Sequence, residues 1–192
     1  MMGACVGYRF RNELGETLRR LASLDNSSVS PDSQNQQTRK PYNPIPNSPT
    51  VKAYRKFLAN NPVQYLSPNE LLRPHFKTRG GVCSGVPPEH LWRNMVVTVR
   101  VADEIRRRLG VPLHTVASAY RSPQYDAKCP GASKYSQHMH NRALDLVYAC
   151  PPREAFDAAD QLRKEGFFKG GIGLYSNFIH IDTRGRNATW GV

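Results

Sequence analysis

Arg142-Ala143-Leu144-Asp145-Leu146-Val147-Tyr148 is the stretch that decides the fold. It is a short apolar run of strand length, and it reads as a β-strand. Side chains alternate across a strand, so Leu144 and Leu146 share one face while Asp145 shares the other with Ala143 and Val147. A carboxylate buried there without a partner is costly. Asp145 therefore either faces water on an edge strand or meets a basic side chain, a set of hydrogen-bond donors, or a metal.

The same pattern returns near the C-terminal end. In Phe178-Ile179-His180-Ile181-Asp182, the two isoleucines face a core and Phe178, His180 and Asp182 share the opposite side. Ile172 to Tyr175 precedes it, and Ser176-Asn177 supplies the turn of a hairpin. Upstream, Val111 to Tyr120 reads as another strand and Arg121 to Gln137 as a long loop. Between and before these lie two amphipathic helices. One opens at Pro87-Pro88-Glu89 and ends at Gly110, with a stripe of Leu91, Met95, Val99, Ala102, Ile105 and Leu109. Its last turn holds Arg106, Arg107 and Arg108, where the helix dipole favours cations. The other runs from Pro151 to Gly166. Strands and helices do not alternate in βαβ order, which predicts an α+β fold: a mostly antiparallel sheet with helices packed on it.

The N-terminal part reads differently. Residues 9–24 suit a short basic helix with Phe10, Leu14, Leu18 and Leu21 on one side. Asp25 to Thr50 is dominated by Asn, Ser, Gln, Pro and Thr, a composition expected of a disordered linker. Val51 to Asn60 suits a short helix, and Ser67-Pro68-Asn69-Glu70 suits the start of another. The expected organisation is a basic segment and linker over 1–50, an extension over 51–80, and the main domain over 81–192.

The chain has 192 residues and a formal net charge of +12, and the basic excess is steeper in residues 1–80 than beyond. Such a field attracts polyanions; nucleic acid and a carboxylate- and phosphate-rich cell wall are both candidates, and charge does not choose between them. No apolar run approaches the roughly 20 residues that span a bilayer. Arg9, Arg11 and Glu13 interrupt the start of the chain before a signal-peptide apolar region forms, so the expected chain is cytoplasmic, exported by another route, or without its leader. Cys5, Cys83, Cys129 and Cys150 contain no CxxC spacing, which argues against a zinc ribbon. Outside the cytosol, a disulfide among the last three is conceivable.

His138 lies in the loop that enters the Asp145 strand, His140 follows two residues later, and His180 arrives from a separate strand. Two histidines and one aspartate suit a catalytic zinc, which takes three protein ligands and leaves a position for water.

Ser136-Gln137-His138-Met139-His140-Asn141-Arg142-Ala143-Leu144-Asp145 resembles the SxHxxGxAxD signature of the zinc D-Ala-D-Ala carboxypeptidases. These share a fold group with lysostaphin-type enzymes and the hedgehog signalling domain. Ser136, His138, Ala143 and Asp145 match, and Asn141 stands in place of Gly; Asn tolerates the left-handed backbone. Ser118-Ala119-Tyr120-Arg121-Ser122-Pro123 resembles the family's S-[GA]-Y-R-[ST] segment, and Phe178 to Asp182 its closing H-x-[DH] strand. The resemblance covers residues 80–192. It implies that His138, Asp145 and His180 bind Zn2+, that Arg121 holds a substrate carboxylate through its guanidinium fork, and that Ser136 contacts substrate or a ligand. Against these stand an ion pair of Arg121 with Asp126 and a turn-forming role for Ser136. Many relatives carry an acidic general base three residues before the last ligand. That position here is Asn177, which leaves Asp182 or His140 as candidates.

The implied function is zinc-dependent hydrolysis of peptide bonds in bacterial peptidoglycan stem peptides or crosslinks, by a carboxypeptidase or an endopeptidase. The alternative is a zinc-containing binding module without turnover. Nucleic-acid binding has no recognisable reading motif behind it.

Overall fold

The computed structural model describes residues 44–192. The expected helix at 9–24 and most of the expected linker lie outside these residues. The first helix begins before residue 50: Ser48 caps it by accepting from Val51 N (3.4 Å), and Pro49 occupies the first turn. This helix, α1 (Pro49–Ala59), buries Val51, Tyr54 and Leu58 at helical spacing. The Asp103 carboxylate then fastens the following segment by accepting from the backbone N–H groups of Gln64, Tyr65 and Leu66. Helix α2 (Pro68–Leu72) starts at a full capping box between Ser67 and Glu70 and runs into a 3-10 turn at Arg73–Phe76. A short hairpin of β1 (Thr78–Arg79) and β2 (Val82–Cys83) follows.

The long helix is shorter than expected. A 3-10 turn at Glu89–Leu91 precedes α3 (Asn94–Leu109). Trp92 accounts for the break. Its Nε1 donates to Pro87 O (2.9 Å), and its ring packs against Tyr54 and Phe57 at 5.2 and 5.5 Å. Anchoring the indole there tightens the first turn to an i→i−3 bond, Trp92 N to Glu89 O. The helix ends at Gly110, in the left-handed conformation (φ 65°).

The remaining elements are β3 (Leu113–Ser118), α4 (Pro123–Asp126), a 3-10 turn at Gln137–His140, β4 (Ala143–Tyr148), α5 (Pro152–Lys164), β5 (Gly171–Leu174), β6 (Ile179–Asp182) and β7 (Ala188–Trp190). The strands form one sheet in the order β3-β4-β6-β5-β7, antiparallel except for the β5–β7 pair. The fold is α+β with a mostly antiparallel sheet, as the strand patterns predict. Strand β7 and helix α4 were not expected; the latter lies inside the expected loop.

The described residues form two layers. One face of the sheet presents Val116, Leu144, Leu146, Ile172, Ile179 and Ile181 to α3 and α5, which contribute Met95, Val99, Ala102, Ile105, Phe156, Ala159 and Leu162. Each fully buried Val, Leu, Ile, Met or Phe side chain among these contributes roughly 1.5–3 kcal/mol. Apolar side chains from residues 51–76 join the same cluster. The opposite face, free of helices α3 and α5, carries the polar residues. Cys83, Cys129 and Cys150 are all unpaired thiols.

Candidate active site

Strands β4 and β6 pair so that Asp145 lies opposite His180 and Ala143 opposite Asp182. This register puts both polar side chains of β6 on the face of Asp145. His138 arrives from the turn before β4, and two bonds hold that turn. Arg121 N donates to His138 O (3.2 Å), and the His138 ring is fixed to Ala119 O (2.6 Å). The chain can re-enter β4 this sharply because Asn141 takes a left-handed conformation (φ 52°). Its side chain also does what a glycine could not: buried, it donates to Leu91 O (3.0 Å) and pairs with the Tyr54 hydroxyl.

One donor atom from each of His138, Asp145 and His180 falls within 4.8 Å of the others, and all three residues are buried. His138 Nε2 is 3.3 Å and His180 Nδ1 2.9 Å from the same oxygen, Asp145 Oδ1. The far nitrogen of each ring faces an acceptor: His138 Nδ1 faces the Ala119 carbonyl, and His180 Nε2 lies 3.1 Å from Asp182 Oδ2. A carbonyl accepts only, so Nδ1 of His138 carries the proton and its Nε2 lone pair points into the cluster. Asp182 imposes the mirror arrangement on His180. Ring nitrogens held from behind in this way are what metal-ligating histidines require. The donor set fits a divalent cation.

The electrostatics are those of a tightly coupled cluster. Burial lowers the His138 pKa, against the raising effect of Asp145. Burial would raise Asp145, but its electrostatic pairing with His138 first, and with His180, holds it well below the usual carboxylate range. Burial would lower His180, but its bonds to Asp145 and Asp182 prevail and raise it.

A cleft of roughly 560 Å³ opens over this cluster, lined by Arg121, Gln137, Tyr175, Phe178, Arg184 and Trp190 among others. That volume suits a short stretch of peptide. Arg121 is held from three sides. Its Nε donates to Ser118 Oγ (2.7 Å), its Nη2 to Asp145 Oδ2 (2.6 Å), and its Nη1 lies 3.6 Å from Asp126. Ser136, also on the cleft wall, donates its hydroxyl to Asp126 Oδ1 (3.0 Å).

The structure does not bring His140 to the cleft. The residue is exposed, its carbonyl accepts from Asn94 Nδ2, and it is absent from the lining. Asn177 is exposed at the β5–β6 turn. Asp182 is on the expected face but fully buried, and its oxygens accept from Gly171 N, Arg184 N, Arg184 Nε, Arg184 Nη2 and His180 Nε2. Burial would raise its pKa, yet these donors hold it well below the carboxylate range.

The sequence model of the family described as Peptidase M15 matches residues 64–182. The chain belongs to the peptidase M15 family. Its members are metal-dependent peptidases, so the chain is of metallopeptidase type and its substrate is peptide-like. No curated protein matches the chain significantly. The M15 match contains His138, Asp145 and His180 but stops before β7.

Residues missed from sequence are Arg184 and Trp190, with the glycines at 171 and 173. One signal was present. Gly171 and Gly173, two apart on a strand, share a face, and so small a surface beside His180 invites a bulky neighbour.

Proposed function

We propose that this M15 peptidase binds one Zn2+ through His138 Nε2, Asp145 and His180 Nδ1 and hydrolyses peptide bonds of bacterial peptidoglycan stem peptides or crosslinks. The observation that carries the reading is the paired backing of the two histidines, by Ala119 O and by Asp182, which leaves one nitrogen of each aimed at Asp145. Two imidazoles and a carboxylate favour zinc over the harder cations, which prefer oxygen alone. A zinc ion there would supply a water of pKa about 7 and polarise the scissile carbonyl.

The protein's own groups do the rest. Arg121 offers the cleft a guanidinium whose orientation is set by Ser118, Asp126 and Asp145, and it would engage a substrate carboxylate. Asp126 braces both Arg121 and Ser136. Asp182, with its lone pairs occupied, fits an orienting role toward His180 better than that of a proton acceptor. The net charge of +12 suits a carboxylate- and phosphate-rich wall polymer. The organisation that accompanies this reading is a basic segment and linker over 1–50, an extension over 51–80, and the peptidase domain over 81–192.

The test is metal content and turnover on purified peptidoglycan, before and after chelation and re-addition of zinc. His138→Ala and His180→Ala are expected to lose both metal and activity; stoichiometric zinc in either variant would remove that residue from the ligand set. A second reading, a metal-holding binding module without turnover, is favoured by Asn177 at the usual position of the base and by the occupied Asp182 carboxylate. Zinc-loaded protein that binds peptidoglycan but never cleaves it would decide for that reading.

A further inference from the structure

The family match ends at residue 182, yet the face that carries His180 continues through β5 to β7. Gly173 pairs with His180 on one side and with Trp190 on the other. A Cβ at Gly173 would overlap the Trp190 indole, and one at Gly171 would overlap the Asp182 carboxylate and crowd the indole. The glycines thus leave a slot on the polar face, and the indole fills it.

From that slot Trp190 reaches three groups. Its ring lies 5.2 Å from the His180 ring, tilted by 48°. The Arg184 guanidinium sits over its face at 5.6 Å. Its Nε1 donates to the Tyr175 hydroxyl at 3.0 Å. Arg184 in turn donates through Nε to Asp182 Oδ1 (2.8 Å) and through Nη2 to Asp182 Oδ2, the oxygen that faces His180 Nε2. One side chain therefore braces His180 directly and, through Arg184 and Asp182, fixes the far nitrogen of the same ring.

The strand that delivers Trp190 is itself anchored. Arg163 donates to Ala188 O (2.7 Å), Gly170 O (3.1 Å) and Thr189 Oγ1 (2.7 Å). Trp190 also lines the cleft and is only half-buried. Core filling alone does not account for a large aromatic placed there.

We propose that Trp190, outside the family match, is a positioning residue of the metal centre: it holds His180 and the Arg184–Asp182 pair in the geometry that presents His180 Nδ1 to the cation. The inference rests on the reading of His138, Asp145 and His180 as ligands. Arg184 gains a cation–π contact, which keeps its guanidinium over the ring and on Asp182. Loss of the ring frees Arg184 toward the cleft, and His180 loses its wall and its fixed tautomer together.

The experiment measures zinc affinity by competition with a chromophoric chelator, and the thermal midpoint of the metal-free protein, on the full chain. Trp190→Ala is expected to weaken zinc binding by roughly 10–100-fold, the usual cost of removing support from behind a ligand. Trp190→Phe, which keeps a ring in the slot, is expected to recover most of that affinity. Gly173→Ala removes no group that touches His180, but it pushes the indole out of the slot, so it is expected to behave like Trp190→Ala. Lowered thermal midpoints with zinc affinity unchanged in both Trp190→Ala and Gly173→Ala would overturn the proposal and leave Trp190 a plain filler. His180→Ala is the control. If it loses zinc while Trp190→Ala does not, the Trp190 proposal alone falls; if it keeps zinc at wild-type affinity, the ligand assignment falls and takes the proposal with it.

Discussion

His138 and His180 reach the same carboxylate oxygen with opposite ring nitrogens, Nε2 and Nδ1. The difference follows from what lies behind each ring. A backbone carbonyl close to the loop fixes His138, whereas His180, in mid-strand, has the side chain two residues on, Asp182. Asp182→Asn is therefore expected to reduce zinc affinity by roughly 10–100-fold, measured by chelator competition. Unchanged affinity with turnover abolished would restore Asp182 as the base. Arg121→Lys should impair turnover more than zinc binding, because a point charge cannot replace a fork held by Ser118, Asp126 and Asp145. Steady-state kinetics beside metal analysis checks this, and equal losses in both would make Arg121 a support of Asp145 rather than a contact for substrate.

Among the elements, the caps make the clearest predictions. Ser67→Ala removes the hydroxyl half of the capping box on α2, leaving the Glu70 carboxylate on the residue 67 N–H, and is expected to cost about 1 kcal/mol. A lower denaturant midpoint at unchanged slope is the expected observation; an unchanged midpoint would show that neighbouring contacts hold α2 in place. These signals were legible because they are local: Ser67 to Glu70, and Gly110 after a periodic apolar stripe. The same holds for β4 and β6, whose alternation put Asp145, His180 and Asp182 on a shared face. What escaped was non-local. The break before α3 depends on Trp92 finding Tyr54 and Phe57, some 35 residues upstream by the numbering. Ala188-Thr189-Trp190 is too short to show alternation; it becomes a strand because the two glycines make room and Arg163 supplies donors. His140 looked like a candidate from spacing alone, but the 3-10 turn that aims His138 inward leaves His140 on the outer side.

At the scale of the whole molecule, the packing of residues 51–76 against the main sheet has a measurable acid signature. His75 is buried between Tyr54 and Tyr120, with Nδ1 unpartnered. Burial pushes its pKa down to about 4, only partly opposed by a hydrogen bond to the Tyr120 backbone. The unfolded chain, with an ordinary histidine near 6.5, binds this proton first. Stability from His75 is therefore complete above about pH 6.5 and is lost as pH falls toward 4, by up to about 3 kcal/mol. Urea unfolding of wild type and His75→Phe at pH 7 and pH 4.5 isolates the effect from the carboxylates. The wild type is expected to lose more stability than the variant on acidification, and parallel losses would refute the assignment.

The pairing of β4 with β6 also bears on the order in which the chain assembles. Asp145 and His180 are 35 residues apart in sequence yet opposite each other in the sheet. Helix α5 and strand β5 have to be threaded between them before the two side chains can meet. Zinc capture during refolding would then work as a clock for the last long-range step: full-affinity uptake waits for β6 to dock, however early the helices form.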